Sequence, residues 1–252
     1  MANISVAIAT YNEEKNIKKC LEGVAGWVEE IVIVDGGSND KTVDIAKKFK
    51  AFVYRSDNPL IFHLNKQKAI EKCKKDWILQ LDADELVSED LRKEILTVID
   101  SYSDFYGYYI PRENSLLGKK MRKGGLWPDY VIRLFKNGKG RFPCRTVHEQ
   151  IEIKGKIGYL KNPLIHNAYP KFSDYLRKAD TYTSLTSYLL KKEGLKLNIG
   201  SFISYFLIKP TASFLTLFIR HQGFMDGFPG FVWAFFSCLH FPVAYIKYLR
   251  NR

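Results

Sequence analysis

Short apolar runs alternate with segments of helical spacing along the first hundred residues. The apolar runs have the length and composition of buried strands, and they predict strands at residues 4–9, 31–34, 51–55 and 77–81. The intervening segments place apolar residues on one helix face, which predicts helices at residues 16–25, 42–49, 65–73 and 86–100. This alternation is typical of an α/β fold with a mostly parallel sheet flanked by helices.

The pattern changes after residue 100. Strand-like segments at residues 105–111, 130–136 and 150–160 are separated by glycine-rich and basic loops, with no helix of any length between them. A helical segment at residues 172–190 then ends in a basic turn before Gly194. We expect this half to be antiparallel or mixed and to hold a second substrate.

Polar loops follow three of the predicted strands, at residues 10–13, 35–40 and 82–85. Parallel strands bring their carboxyl ends to one edge of a sheet, which is where open α/β sheets bind ligands. Asp82 and Asp84 are two residues apart, so in an extended segment their side chains point the same way. Such a pair suits Mg²⁺ or Mn²⁺, although a solvated acidic turn that caps the next helix has the same appearance.

The glycines of the second loop do not form a familiar phosphate-binding motif. Gly36 and Gly37 match neither G-x-G-x-x-G nor G-x-x-x-x-G-K-[ST], which disfavours dinucleotide oxidoreductases and P-loop enzymes. Paired glycines are also common in tight strand-to-helix turns.

Charge and cysteine content narrow the class of protein. The net charge of +12 over 252 residues predicts attraction to anions, whether nucleic acid, an anionic membrane or a phosphorylated substrate. The four cysteines are far apart and form no C-x-x-C pair, so we expect reduced thiols, no zinc site and a cytoplasmic location. The chain opens directly on a strand-like segment, so no signal peptide is predicted.

The last quarter of the chain has a different composition. Asp226 is the only acidic residue beyond Leu195, and residues 227–246 form an uncharged run rich in aromatic side chains. That run is long enough to span a membrane, but Pro229 and Pro242 are poorly suited to a straight span. We expect residues 195–252 to attach to the membrane surface as interfacial helices, with packing against the protein, a dimer contact or a full span as the alternatives.

Three sequence blocks together resemble the family-2 inverting glycosyltransferases of GT-A fold, most closely the branch of lipopolysaccharide-core and cell-envelope sugar transferases. The blocks are Val6–Glu14, Ile33–Asp40 and Trp77–Glu85, in the family's order and at its usual spacing. Further similarity lies at residues 65–70, 127–130, 133–135 and 147–150. The resemblance implies a GT-A catalytic domain at 1–194, with a nucleotide-binding half at 1–100, an acceptor-side half at 101–194 and a helical apolar appendage at 195–252.

By the same resemblance, the donor is a nucleotide-sugar and the acceptor is a saccharide or a lipid-linked saccharide. The residues implied in donor binding are Thr10, Tyr11, Glu13, Asp35 and Asp82. Lys68 is a further candidate for the diphosphate, with a solvated helix lysine as the alternative. The implied metal ligands are Asp84 and, less directly, Asp82. His148 would complete the metal site, contact the diphosphate or serve a structural role.

Inversion requires a base that deprotonates the acceptor hydroxyl, and a carboxylate is usual in this fold. Glu149 is the predicted base because it directly follows His148 in the acceptor-side block, and Asp129 is the alternative. Either side chain could instead be structural, Glu149 as a partner of Arg145 and Asp129 as a turn residue after Pro128. His166 is expected to be an acceptor-side or structural residue.

Two other classes of protein compete with this interpretation. A GT-A-like nucleotidyltransferase also holds nucleotide and metal at sheet ends, but it usually opens with a glycine-rich basic loop, which residues 10–13 do not supply. A basic nucleic-acid-binding protein would explain the charge, but it would leave three acidic loops repelling phosphate. We therefore expect no nucleic-acid partner and a location at the inner face of the cell membrane.

Overall fold

The computed structural model describes residues 1–145, 149–169 and 171–251. It divides the chain into two compact units, each built from two segments. The first unit contains Met1–Arg112 and Tyr130–His166, and the second contains Glu113–Asp129 and Asn167–Arg252.

A parallel sheet organises the first unit. Its strands are β1 (Ala2–Thr10), β2 (Val28–Asp35), β3 (Phe52–Arg55) and β4 (Trp77–Asp82), in the order β3-β2-β1-β4. The connecting helices are α1 (Ile17–Glu22), α2 (Thr42–Lys48) and α3 (His63–Lys72). Thr10 pairs with Asp35, and Ala9 pairs with Asp82, so the polar strand ends lie along one edge as predicted.

Most of the later strands extend this sheet, and two of them form a separate two-stranded sheet. The elements that follow β4 are β5 (Glu85–Val87), α4 (Glu89–Asp100), β6 (Phe105–Leu116), β7 (Lys119–Lys120), β8 (Asp129–Lys136), β9 (Gly140–Arg141), β10 (Glu152–Ile153), β11 (Lys156–Tyr159) and β12 (Leu164–Tyr169). Strand β8 is antiparallel to β4, β6 lies beside β8, and β11 is parallel to β6. Strands β5 and β12 pair in antiparallel fashion, with His166 opposite Glu85.

Apolar side chains cover both faces of the sheet. Ile4, Val6 and Ile8 pack with α1 and α4 on one face, while Ala7 and Ile78 pack with α3 on the other. Because successive side chains of a strand point to opposite faces, a strand buried on both sides is mainly apolar. This burial confirms the α/β fold class predicted from the apolar runs.

Three long helices dominate the second unit. They are α5 (Phe172–Lys192), α6 (Ile199–Arg220) and α7 (Phe228–Arg250), and a 3₁₀ turn at Gly223–Asp226 joins the last two. Helix α6 contains π-helical turns at Ser204–Ile208 and Leu215–Arg220, and Pro210 lies between them. Proline lacks a backbone donor, which locally disturbs the helical hydrogen-bond ladder. We call residues 199–250 the C-terminal hairpin.

Helix α5 packs along α7. Tyr175 contacts Trp233 and Phe236 edge to face, and Thr186 Oγ1 lies 3.0 Å from His240 Nε2. Near the other end, Lys191 Nζ donates to the backbone oxygen of Asn251. Helix α5 therefore belongs with the hairpin, which differs from the predicted grouping of residues 1–194.

Hydrogen bonds also hold the turn that joins the two helices of the hairpin. Asp226 is buried, and its carboxylate accepts hydrogen bonds from the backbone N–H groups of Arg122 and Lys123. The Lys119 ammonium donates to the Asp226 backbone oxygen, and Trp233 Nε1 donates to the Gly124 backbone oxygen. The loop at residues 119–124 therefore fixes the hairpin turn.

Both hairpin helices are long and apolar enough to cross a membrane by length and composition, at 22 and 23 residues. Only 6% of the apolar window of α6 is buried, against 33% for α7. The exposed apolar side chains of α6 are Ile199, Phe202, Ile203, Leu207, Ile208, Leu215 and Ile219. Most of them lie three, four or seven residues from another member, and we call this set the apolar stripe of α6.

Candidate active site

Hydrogen bonds tie the loops after β1 and β2 together. The Asn12 backbone N–H donates to Ser38 Oγ, the Glu13 backbone N–H donates to Thr42 Oγ1, and the Asn39 backbone N–H donates to Asn12 Oδ1. The structure thus brings Thr10, Tyr11 and Glu13 beside the loop that starts at Asp35. Tyr11 remains 45% exposed, so its ring is accessible to a ligand.

Asp35 organises the glycine loop from within. Its Oδ1 accepts from Thr10 Oγ1 and Ser38 Oγ, and its Oδ2 accepts from the backbone N–H groups of Gly37 and Ser38. Gly37 has φ of 84°, a conformation that glycine adopts without steric cost. Asp35 is only 1% exposed, so its contacts favour shaping the loop over reaching a ligand directly.

Asp82 lies in a buried network of charges. Its Oδ1 forms an ion pair with Lys66 Nζ and accepts from Gln80 Nε2, and its Oδ2 lies 2.7 Å from Arg133 Nη2. The same Arg133 atom lies 2.7 Å from Oε1 of Glu85, and the other Arg133 terminal nitrogen donates to Gln80. Both Asp82 oxygen atoms therefore contact cations of the protein, which disfavours the predicted metal-ligand role for Asp82 in this arrangement.

Burial and neighbouring charges act against each other within this network. Burial raises the pKa of Asp82, but Arg133 and Lys66 outweigh burial and hold that pKa well below its usual value. Burial lowers the pKa of the Lys66 ammonium, and Asp82 counteracts this effect. Ion pairs that are shielded from water are stable only when each charge has a partner. The network therefore holds the end of β4 in place.

Asp84 has a different neighbour. Its Oδ2 lies 3.4 Å from His166 Nε2, and the pairing of β5 with β12 places the two residues side by side. The Asp84 and His166 side chains are 16% and 12% exposed, so both reach the surface only partly. A carboxylate and an imidazole form a donor set that suits Mn²⁺ and related divalent ions.

The candidate base residues fall in different units. Glu149 belongs to the first unit, and its Oε1 accepts from the Arg145 backbone N–H at 2.8 Å. The neighbouring Gln150 is hydrogen-bonded to the backbone of Tyr130 and Ile132 in β8. Asp129 belongs to the second unit and accepts from Asn114 Nδ2 at 2.9 Å. His148, predicted as a metal or diphosphate ligand, lies outside the described residues.

Lys68 is exposed, and its Nζ donates to Ser56 Oγ at 2.7 Å, just beyond β3. Asn65 Nδ2 donates to the backbone oxygen of Asp57 in the same loop. Lys68 therefore lies at the edge that carries the strand-end loops.

Two residues of the site, Lys66 and Arg133, were not predicted from the sequence. The contact between His166 and Asp84 was not predicted either. Arg133 carried a usable signal, because an arginine inside the apolar strand 131–135 has to find a buried partner. Lys66 gave none, since a helix lysine is ordinarily solvated. The His166 contact depends on strand pairing across about eighty residues, which no local pattern encodes.

A mixed sheet with these strand-end loops and a carboxylate turn after β4 is typical of the GT-A fold. Residues 5–173 match the model of glycosyl transferase family 2, and the chain belongs to that family. It is therefore a glycosyltransferase, as the sequence predicts.

Relatives and solved structures agree with this assignment. The lipopolysaccharide core biosynthesis glycosyltransferase LpsC of Rhizobium meliloti is 26% identical, with 93% of this chain and 90% of LpsC covered. An uncharacterized glycosyltransferase of Rickettsia typhi, RT0209, is 28% identical, with 92% and 82% covered. The mannosyltransferase PcManGT of Pyrobaculum calidifontis, solved with GDP-Man and Mn²⁺, superposes with a TM-score of 0.52 at 12% identity, over 99% of this chain and 88% of that one. The likeness to PcManGT confirms the GT-A fold.

Proposed function

We propose that this protein is an inverting glycosyltransferase that moves a sugar from a nucleoside-diphosphate donor to a saccharide or lipid-linked acceptor of the cell envelope. The observation that carries the proposal is the shared edge of β1, β2 and β4, where Tyr11, the Asp35 loop and Asp84 lie at neighbouring strand ends. A nucleotide bound across that edge would have its base near Tyr11 and its diphosphate near Asp84.

The donor set at Asp84 fits a divalent cation. Two ligands of one small octahedral ion lie roughly 3 Å apart, which is close to the 3.4 Å between Asp84 Oδ2 and His166 Nε2. No cluster of three metal-binding side chains forms within residues 1–145, 149–169 and 171–251, so diphosphate oxygen atoms and water would complete the shell. Bound Mn²⁺ or Mg²⁺ would offset the charge that develops on the departing diphosphate.

Asp82 then has a positioning role and does not bind the metal directly. The Lys66 and Arg133 contacts hold its carboxylate and orient the turn that presents Asp84. Thr10 and Asp35 similarly hold the loop against which the ribose would lie, and the Glu13 backbone N–H donates to Thr42 Oγ1 at the end of that loop. Lys68 stays a candidate for the diphosphate.

Glu149 is our proposed base. The adjacent Gln150 attaches this segment to β8, whose Arg133 binds Asp82, so Glu149 belongs to the same folded unit as Asp84. The carboxylate would take the proton of the acceptor hydroxyl as that oxygen attacks the anomeric carbon opposite the diphosphate. Asp129 stays the alternative.

The acceptor class rests on similarity. LpsC is named for lipopolysaccharide core biosynthesis and matches nearly the whole chain, which supports a cell-envelope saccharide as the acceptor. Nucleotidyl transfer and nucleic-acid binding have no comparable support.

We further propose that the C-terminal hairpin attaches the protein to the inner face of the cell membrane without crossing it. The apolar stripe of α6 would enter the lipid, and Arg220 and Lys209 would lie near headgroups. A full span is disfavoured because α5 packs along α7, and α5 carries the exposed charged residues Arg177 and Asp180. The loop at 119–124 also holds the closed end of the hairpin, so that end is not free to emerge on the far side.

The test is turnover of a panel of nucleotide-sugars, measured as released nucleoside diphosphate with Mn²⁺ or with a chelator. Wild-type protein should release nucleoside diphosphate from at least one donor, and the chelator should stop the release. Asp84→Asn should reduce the rate at least 100-fold with a near-wild-type thermal melt, and Mn²⁺ binding followed by electron paramagnetic resonance should weaken in parallel. Asp104→Asn, in an exposed ion pair with Lys156, is the matched control.

Full activity and unchanged Mn²⁺ binding in Asp84→Asn would remove the metal assignment. The base is tested in the same assay with Glu149→Gln, which should lose transfer to an acceptor while still binding the donor. If Asp129→Asn alone behaves in this way, the two carboxylates exchange roles.

A further inference from the structure

Three tyrosines form an exposed aromatic cluster on the first unit. Tyr109 in β6 stacks on Tyr159 in β11 with ring centroids 4.9 Å apart, and Tyr130 in β8 meets Tyr159 edge to face at 5.1 Å. Tyr159 is 63% exposed and Tyr130 is 36% exposed. We call these three residues the tyrosine platform. A mutually packed group of rings on the surface of a sheet holds its shape without a ligand.

Strand register places the platform at the level of the site. Leu79 of β4 pairs with Leu134 of β8. Gly107 of β6 lies next to Leu134, because a Cβ atom added to Gly107 would be 3.2 Å from the Leu134 backbone oxygen. Gly107 pairs with Ile157, and Tyr109 pairs with Tyr159 two residues later. Since Tyr109 also lies beside Tyr130, β6 runs antiparallel to β8 and in the same direction as β4. Tyr109 and Tyr159 are therefore level with the end of β4.

The lateral distance also suits an acceptor. The sheet has the order β4-β8-β6, and β11 pairs with β6. Tyr159 in β11 is therefore three strands away from β4. At about 4.8 Å between neighbouring strands, this distance is roughly 14 Å. Gln150, next to the proposed base Glu149, donates to the backbone oxygen of Tyr130. The platform thus borders the segment from which the acceptor would be deprotonated.

The chemistry of the platform matches a sugar ring. A pyranose presents C–H bonds on its faces and hydroxyl groups at its rim, and tyrosine presents an apolar ring with one hydroxyl group. Tyrosine side chains also supply large contact areas at low conformational cost, because only two torsions are fixed.

We propose that the tyrosine platform binds a sugar ring of the acceptor by stacking, one or more residues away from the sugar that receives the transferred group. This inference deepens the proposed function and rests on it. Acceptor recognition is then divided between the hydroxyl that reacts near Glu149 and a second ring held on Tyr159 and Tyr130.

Equilibrium binding of a defined probe tests the proposal. The probe is core oligosaccharide released by mild acid from lipopolysaccharide, and binding is followed by calorimetry and by saturation-transfer NMR. Tyr130→Ala/Tyr159→Ala should bind the probe at least about tenfold more weakly, because two stacking surfaces are lost. Tyr130→Phe/Tyr159→Phe, which keeps both rings, should stay within about threefold of wild type. Tyr102→Ala, at a fully exposed tyrosine elsewhere on the unit, is the control and should bind like wild type.

The outcomes separate this inference from the proposed function. Donor hydrolysis by wild-type protein without any acceptor reports on the glycosyltransferase site alone. Absence of probe binding to wild type, or equal binding by the double alanine variant, overturns the platform even when donor hydrolysis is present. The double alanine variant could also sediment as a monomer where the wild type is a dimer, with probe affinity unchanged. That result would overturn the proposal as well, because it would assign the tyrosines to self-association.

Discussion

At the scale of single residues, the ion pairs around Arg133 decide how the end of β4 is held. Arg133 and Glu85 are almost completely buried, and Asp82 is 23% exposed. Two carboxylates share this one guanidinium, with Lys66 and Arg112 as the additional cations. Removing one partner from such an arrangement should destabilise the fold strongly. The remaining charges would be buried without a counter-charge and without water to solvate them.

Arg133→Ala should therefore lower the free energy of unfolding by about 3–5 kcal/mol. Urea denaturation followed by circular dichroism measures this loss. Arg141→Ala removes the same side chain from an exposed pair with Glu152, where about 0–1 kcal/mol is expected. Equal effects of the two substitutions would mean that the buried network is not a stability determinant.

At the scale of elements, the hairpin turn depends on one carboxylate. Asp226 is 4% exposed and accepts from two consecutive backbone N–H groups of the loop at 119–124. A polar group buried in this way fixes a loop in which four of the six residues are basic. Losing it leaves two backbone donors without their acceptor.

Asp226→Ala should release the loop and lower the free energy of unfolding by about 1–3 kcal/mol. Limited trypsin digestion, with cleavage mapped by mass spectrometry, should show faster cutting after Lys119, Lys120, Arg122 and Lys123. Asp180→Ala, at an exposed partner of Lys247, is the matched substitution and should leave cutting at that loop unchanged. Unaltered digestion of Asp226→Ala would argue that other contacts hold the turn.

At the scale of the whole molecule, the proposed membrane attachment would draw on both the net charge of +12 and the apolar hairpin. Basic residues near an anionic surface contribute about 1 kcal/mol each, and apolar burial adds about 25 cal/mol per Å². Attachment that uses both terms responds to salt without being abolished by it.

The protein should sediment with phosphatidylcholine vesicles that contain phosphatidylglycerol, and 1 M salt should weaken this binding only in part. Ile203→Glu/Leu207→Glu places charge in the α6 stripe and should lower the partition coefficient at least about tenfold. Leu60→Glu changes an exposed leucine in the other unit and serves as the control. Wild-type binding by the α6 variant would contradict membrane attachment through the hairpin.

The local pattern of the sequence predicted most elements of the first unit. Strands β1, β2 and β4 are built around short apolar runs, so burial on both faces marks them directly. Strand β5 was predicted as the start of a helix, since three residues after an acidic turn carry too little pattern to identify a strand. Strand β12 was not predicted, because its identity depends on a partner far away in the chain.

The sequence by itself determined the α/β class, the family and the three polar strand ends, because each is written in a short stretch of chain. Tertiary structure decided what those residues touch. It gave Asp82 to Lys66 and Arg133, placed His166 beside Asp84, enclosed Asp35 in its own loop and grouped α5 with the hairpin. The physical reason is that charge pairing and strand register join residues dozens of positions apart, where spacing along the chain carries no information.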